Sequence, residues 1–266
     1  MGKSILLWFL ALVITLASVI YQRSTGPTYP VKGEVSLDGQ TVEYALLTSH
    51  ETTTDAVMRI PAPATVSGEL RWRRFKSHDE WQAVPLPREG NELLVTIPRQ
   101  PSAGKVMYEV TLSDAGGNDY QLSAEPVIVR FKDPVPAPIL FPHIFFMFFA
   151  MFLSTRTGLE AITGGPKAYG MSMVTAVCLL IGGLILGPLV QKYAFGAFWT
   201  GWPFGHDLTD NKTLFAFIFW VIAIWRNKPP RTGRIWIIIA AVVTLGIYLI
   251  PHSVLGSEID YTQQQP

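Results

Sequence analysis

Residues 4–22 read SILLWFLALVITLASVIYQ, with no charged side chain between Lys3 and Arg23. At 1.5 Å per residue, a helix of this length crosses about 30 Å of hydrocarbon. The stretch reads as a signal anchor, the first transmembrane segment of a domain at residues 1–23. Its rival is a signal peptide cleaved after Ala17. The apolar run exceeds the roughly 7–15 residues usual for such a peptide, and Ile20 and Tyr21 extend it further. Under either reading, the chain that follows is exported.

Working outward, the same charge-free signature returns after Asp133. Residues 134–155 lie between Asp133 and Arg156, 168–191 between Lys167 and Lys192, and 235–257 between Arg234 and Glu258. A fourth window, TLFAFIFWVIAIW at 213–225, is too short by itself. Extended back to Asp207 as N-cap, with Asp210 at N3, it becomes a helix over 208–225 of about 27 Å. The expected fold is a membrane α-helical bundle of five spans with an inserted exported all-β domain. Residues 134–266 form its four-helix part, with spans at about 136–155, 169–191, 208–225 and 235–251.

Charge sets the orientation. Lys3, Arg156, Lys167, Arg226, Lys228, Arg231 and Arg234 fall on one side with Glu160; Lys192 and Lys212 fall on the other with Asp207, Asp210, Glu258 and Asp260. The positive-inside rule then gives a multi-pass protein of the inner (cytoplasmic) membrane. Its N-terminus is cytoplasmic; its C-terminus and residues 24–133 are periplasmic or extracellular.

Composition agrees. Of 266 residues, 49% are apolar and only 15% charged, and mean hydropathy is +0.28; soluble domains carry about 25% charged residues. The net charge of +1 gives no reason to expect nucleic acid as a partner. Cys178 is the one cysteine, which excludes an internal disulfide and a cysteine-rich zinc or redox motif.

Residues 24–133 hold 15 of the 20 acidic residues. Short alternating runs recur at Val35–Leu37, Val42–Leu47, Val57–Ile60, Leu70–Phe75, Trp81–Leu86, Leu93–Ile97, Val106–Leu112 and Val127–Phe131, punctuated by Asp38-Gly39, Glu89-Gly90 and Gly116-Gly117. This spacing predicts an antiparallel β-sandwich. The predicted core includes Trp72, Phe75, Trp81, Leu94, Tyr108 and Val110. Ile97-Pro98, then Gly104-Lys105-Val106-Met107-Tyr108-Glu109-Val110, then Asp114-Ala115-Gly116-Gly117-Asn118, resembles bacterial immunoglobulin-like or fibronectin-III-like modules over residues 31–132 or so. The resemblance implies an adhesive, spacing or partner-binding role.

Three groups of candidate site residues stand out. The first is Arg71, Arg73, Arg74 and Lys76, a basic run interleaved with Trp72 and Phe75. It is suited to headgroups, glycans or an acidic partner face, unless Glu69, Asp79 and Glu80 neutralise it. The second lies in and after the outer loop at 192–207. Its segment 193–206 has six aromatic residues of 14 and three glycines, and Trp199, Trp202, Asp207, Asp210, Asn211 and Lys212 could serve a ligand or ion there. The same residues could instead form an interfacial belt and a capped helix start. The third is His143, His206 and His252, which this topology brings to one leaflet, where imidazoles could hold a metal or haem.

No nucleophile elbow, phosphate-binding glycine loop or His-Glu-x-x-His pattern is present. The leading expectation is therefore a non-enzymatic membrane protein that binds or assembles with an envelope protein partner. Its alternatives are a metal or haem protein using the three histidines, and ion or small-molecule transport at Asp207, Asp210 and Lys212.

Overall fold

The computed structural model describes residues 2–205, 207–228, 232–251 and 256–263. The chain divides into two units. Met1–Gly26 and Val135–Gly256 make the helical unit; Pro27–Pro134 and Ser257–Pro266 make the β unit. The backbone thus passes from one unit to the other three times, at 26/27, 134/135 and 256/257.

The helical unit contains α1 (Gly2–Thr25), α2 (Ala137–Ile162), α3 (Ala168–Leu179), α4 (Gly187–Phe195), α5 (Leu208–Arg226) and α6 (Arg234–Leu249). A π-helical segment, Leu180–Leu186, joins α3 to α4, so that Ala168–Phe195 is one 28-residue rod. Gly187 N–H bonds Gly182 O five residues back. Pro188 follows; it has no N–H to donate to the preceding turn and its ring crowds that turn, and a wider π turn relieves both. Among the described residues, four helices are long and apolar enough to cross a membrane: α1, α2, the α3–α4 rod and α5. At 16 residues, α6 is shorter. The outside of the unit is greasy: Ile20 (67% exposed), Phe141 (68%) and Val242 (63%) face outward. A water-facing surface of this kind would aggregate, whereas hydrocarbon accepts it.

α2 is the centre of this unit. It packs against α1, α3, the π segment, α4 and α6. It also departs from the sequence expectation, because it does not stop at residue 155. Arg156 and Glu160 are helical and buried, with side-chain exposures of 2% and 9%, and Arg156 Nη1 lies 2.7 Å from Glu160 Oε2. One turn apart on a helix, opposite charges meet and partly cancel, so the helix continues through them.

The β unit has eleven strands among the described residues: β1 (Val31–Leu37), β2 (Gln40–Leu46), β3 (Ser49–Glu51), β4 (Ala56–Pro61), β5 (Ser67–Arg74), β6 (Gln82–Pro85), β7 (Arg88–Glu89), β8 (Glu92–Ile97), β9 (Lys105–Ser113), β10 (Asp119–Gln121) and β11 (Val127–Lys132). β1 and β2 form a hairpin; β3, β11, β9, β5 and β6 lie in that order, with β10 also on β9; β4, β8 and β7 form the third sheet. Among the described residues, none of the sheets closes into a barrel. Each of the eight sequence-predicted runs overlaps a strand. The pairing is not wholly antiparallel, however: β3 runs parallel to β11, with Phe131 opposite His50.

One apolar core is shared among the sheets. Strict alternation on β9 buries Val106, Tyr108, Val110 and Leu112, and these meet Leu37, Leu46, Ile60, Val95 and Phe131 from other strands. Tyr108 donates from Oη to Leu47 O at 2.8 Å, so its buried hydroxyl is satisfied. Three of the expected core residues are placed differently. Leu94 is half-buried, while its neighbours Leu93 and Val95 point inward; a step of one residue exchanges the faces of a strand. Phe75 and Trp81 are half-buried at the rim, where cations cover them: Lys105 over Phe75 at 5.5 Å, and Arg71 and Arg73 over Trp81 at 5.4 and 5.1 Å.

Candidate functional site

The basic run of β5 lies at one end of the β unit. Antiparallel pairing sets Arg74 opposite Val106 of β9, and β11 sets Arg130 opposite Lys105. Arg74, Lys76, Lys105 and Arg130 therefore come from three segments of the chain to the end of a single sheet.

These cations are answered within the unit. Arg74 grips Asp79 with two bonds, Nε to Oδ2 at 2.6 Å and Nη2 to Oδ1 at 2.8 Å. This bidentate guanidinium holds the Asp79 carboxyl below its usual range. Arg71 reaches Glu109 at 3.4 Å. Of the three neutralising carboxylates expected from the sequence, Asp79 takes that role here; Glu109 and Glu258 are partners that the local sequence did not signal.

Glu258 belongs to the tail at residues 257–263, which folds as part of the β unit. Its carboxylate lies between Lys76 and Lys105 and accepts a hydrogen bond from each. Burial pushes the Glu258 carboxyl up, but the two lysine hydrogen bonds outweigh burial and leave it below its usual range. Arg130 donates to Ser257 O. Ile259 N donates to Ala103 O at 3.1 Å. The Tyr261 ring lies beneath the Arg74 guanidinium at 4.5 Å. Asp260 turns back on the tail itself and accepts from Thr262 N at 3.0 Å and Gln263 Nε2 at 3.0 Å. A short acidic peptide thus occupies the basic end of the sheet, held by charge, one aromatic contact and backbone hydrogen bonds.

In the helical unit, the outer-loop candidates converge, and they converge on the loop backbone. Asp207 caps α5, accepting from Thr209 N at 2.8 Å, and its other oxygen accepts from Thr200 Oγ1 at 3.2 Å. Asp210 Oδ2 accepts from Thr200 N (2.8 Å) and Gly201 N (3.1 Å). Asn211 Oδ1 accepts from Trp202 N at 2.6 Å. Gly201 sits tight against this clamp, since a Cβ there would come within 2.7 Å of Asp210 and Asn211. Trp199 Nε1 donates to Trp202 O at 3.1 Å. The loop is thereby held in one shape, with Trp202 68% and Phe204 83% exposed.

Lys212 points away from this clamp. Its ammonium donates to Ile250 O at 2.8 Å, with Pro251 O at 3.4 Å. Gln22 Nε2 of α1 donates to Tyr248 O at 2.9 Å. Cation and amide together satisfy the free carbonyls at the C-terminus of α6, where the helix dipole also favours positive charge. The adjacent cavity, lined by Gln22, Met147, Lys212, Thr213 and Tyr248 among others, has a volume of about 10 Å³ and holds at most one water.

His143 is engaged in packing. Its Nδ1 donates to Gly182 O of the π segment at 2.8 Å, which ties α2 to that segment. His206 and His252 lie outside the described residues. Among the described residues, no three His, Cys, Asp or Glu side chains are grouped to hold a metal ion.

Sequence reasoning missed the buried polar interior of α2. Ser154, Thr155, Arg156, Thr157 and Glu160 are all buried. The Arg156 guanidinium lies over Trp8 of α1 at 5.1 Å, and Thr157 Oγ1 meets Thr175 Oγ1 of α3 at 3.4 Å. The available signal was the i, i+4 pairing of Arg156 with Glu160, which permits two charges to enter a helix bundle together.

No protein-family model matches the chain, and no curated protein matches it.

Proposed function

We propose that the protein is a multi-pass inner-membrane subunit that presents an immunoglobulin-like β-sandwich outside the cytoplasm for an envelope protein partner. In this reading α1 is a retained anchor, and α2, the α3–α4 rod, α5 and α6 complete five crossings. The excess of lysine and arginine on one side puts the N-terminus in the cytoplasm and the β unit and C-terminus outside. Retention of α1 is supported by its engagement in the helical unit, through Trp8 on Arg156 and Gln22 on the end of α6.

The observation that carries the binding role is the occupied end of the β unit. Arg74, Lys76, Lys105 and Arg130 already hold a peptide segment there. The polar residues of the outer loop, by contrast, are used on the protein's own backbone, which gives transport at Asp207, Asp210 and Lys212 less support.

The test is site-specific photo-crosslinking in intact cells, with the crosslinker at the exposed Arg71 or Val84 positions of β5 and β6. A discrete adduct larger than the chain is expected. Uncrosslinked monomer at every such position would refute the partner role. A reporter fused at the C-terminus that works only in the cytosol would refute the orientation.

A further inference from the structure

We propose that the Arg74–Lys76–Lys105–Arg130 end of the β unit is a binding site for acidic peptide segments of a partner protein, and that residues 257–263 are its built-in competitor. The inference rests on the partner-binding reading above and names the chemistry of that partner.

Four observations support it. First, the site selects a pattern. A carboxylate enters between Lys76 and Lys105, and an aromatic ring three residues later lies under Arg74. Any segment of the form Glu-x-x-Tyr that follows the same backbone path can place the same groups. Second, the backbone of the site takes part, with Ala103 O accepting from Ile259 N. A main-chain bond of this kind accepts any residue but proline at that position, which suits an exchangeable ligand.

Third, the tail fits incompletely. The Tyr261 hydroxyl is buried with no hydrogen-bond partner among the described residues, although buried hydroxyls are ordinarily satisfied. Burial also raises its pKa, with Arg74 opposing. A phenylalanine at that position, or a segment that brings an acceptor, would avoid the defect. Fourth, the hold is mostly electrostatic and lies near the surface. The side chains of Lys76, Lys105 and Glu258 are 46%, 14% and 23% exposed, so salt and competing carboxylates can reach it.

The consequence is a surface closed by default. A tethered segment is presented to its site at about millimolar effective concentration. A partner must match or exceed that to displace it, so binding would occur only where the acidic segment is abundant or held alongside.

The experiment uses the purified full chain in detergent micelles and a fluorescent peptide, SEIDYTQ, copied from residues 257–263. Binding is read by anisotropy. Three proteins are compared: the unaltered chain, the chain ended after Gly256, and the full-length chain carrying Glu258→Gln with Tyr261→Ala. The last keeps its length and releases the tail, and so covers the case in which truncation harms folding. Both altered chains should bind the peptide roughly tenfold or more tightly than the unaltered chain, whose tethered tail competes. The peptide carrying Glu258→Gln should bind roughly tenfold more weakly, and Lys105→Glu in either altered chain should abolish binding.

Equal binding to unaltered and altered chains, or no binding to either altered chain, would overturn the proposal. Dimerisation of the unaltered chain that disappears on truncation would also overturn it, by assigning the site to the tail of a second copy. Failure here leaves the crosslinking experiment at Arg71 and Val84 free to succeed, so the two readings fail separately.

Discussion

The two units solve the burial of charge in opposite ways. In the β unit, the core is built from Val, Leu, Ile, Ala, Met58, Phe131 and Tyr108, the acidic residues lie at the surface, and among the described residues Arg130 is the one buried charge. In the helical unit, Arg156, Glu160, Asp210 and Lys212 are buried, while residues such as Ile20, Phe141 and Val242 face outward. The difference follows from the solvent. Water drives apolar side chains together, and this assembles the β core. Lipid tails are as apolar as leucine, so helices gain little by hiding leucine from them; close packing and interhelical polar contacts hold such bundles instead. Gly158 against Ala241 and Gly183 against Thr213 supply the close packing, and Trp220 Nε1 to Thr244 Oγ1 at 2.8 Å supplies a polar contact.

This contrast can be tested by moving charge in each unit. The largest effect is expected for Val110→Asp, which puts an unpaired carboxylate into the β core. A loss of more than about 4 kcal/mol is expected, seen as protease cleavage within residues 27–134 while the helical content by circular dichroism persists. Cleavage no faster than in the unaltered chain would break the contrast.

Next comes Glu160→Ala, which strands the buried Arg156 guanidinium at a cost of about 3–5 kcal/mol. The double variant Arg156→Met with Glu160→Leu should recover most of that, as read by thermal unfolding in detergent. A double variant as unstable as the single one would show that the pair does more than satisfy itself.

Asp210→Ala removes the acceptor for Thr200 N and Gly201 N, and a cost of about 1–3 kcal/mol is expected. The outer loop should exchange its amide hydrogens faster, with Trp202 fluorescence altered. Unchanged exchange at Thr200 and Gly201 would return these carboxylates to the ligand reading.

Acid should loosen the hold of the β unit on residues 257–263. The Glu258 and Asp79 carboxyls sit below their usual values of 4.5 and 3.8. A depressed folded-state pKa contributes stability that is fully present above the usual value and is lost as pH falls through the depressed one. Tail release, followed by a fluorophore at residue 263, is therefore expected only at pH below about 4.5. Release that begins near neutral pH would contradict the lysine clasp.

The smallest effect belongs to Arg71→Ala. Its bond to Glu109 is exposed, and a change within about 0.5 kcal/mol is expected by chemical denaturation.

Much of the fold was legible because its signals are local. Charge-free windows marked the membrane-length helices, Asp207 marked the start of α5, and alternation marked the strands. The failures were of two physical kinds. Leu94 was one residue out of phase, since a run of adjacent apolar residues at 93–95 leaves open which face turns inward. Trp81 and Phe75 look like core residues by type, but arginine and lysine stems can cover an aromatic ring at a rim as well as a core can. Among the site residues, the acidic cluster at 207–212 was visible as a cluster. Its use was not, because a carboxylate bound to loop N–H groups and one waiting for an ion are spelled alike.

The sequence alone determined which segments can enter lipid, which can pair as strands, and where charge must be accommodated, because each depends on the partition or periodicity of neighbouring residues. Tertiary structure alone decided what these charges meet beyond their own helix. It laid the Arg156 guanidinium over Trp8 of α1, turned Asp210 onto the loop backbone, and carried Glu258 to lysines 153 and 182 residues away. Such contacts depend on which faces pack together in space, and no local pattern encodes that.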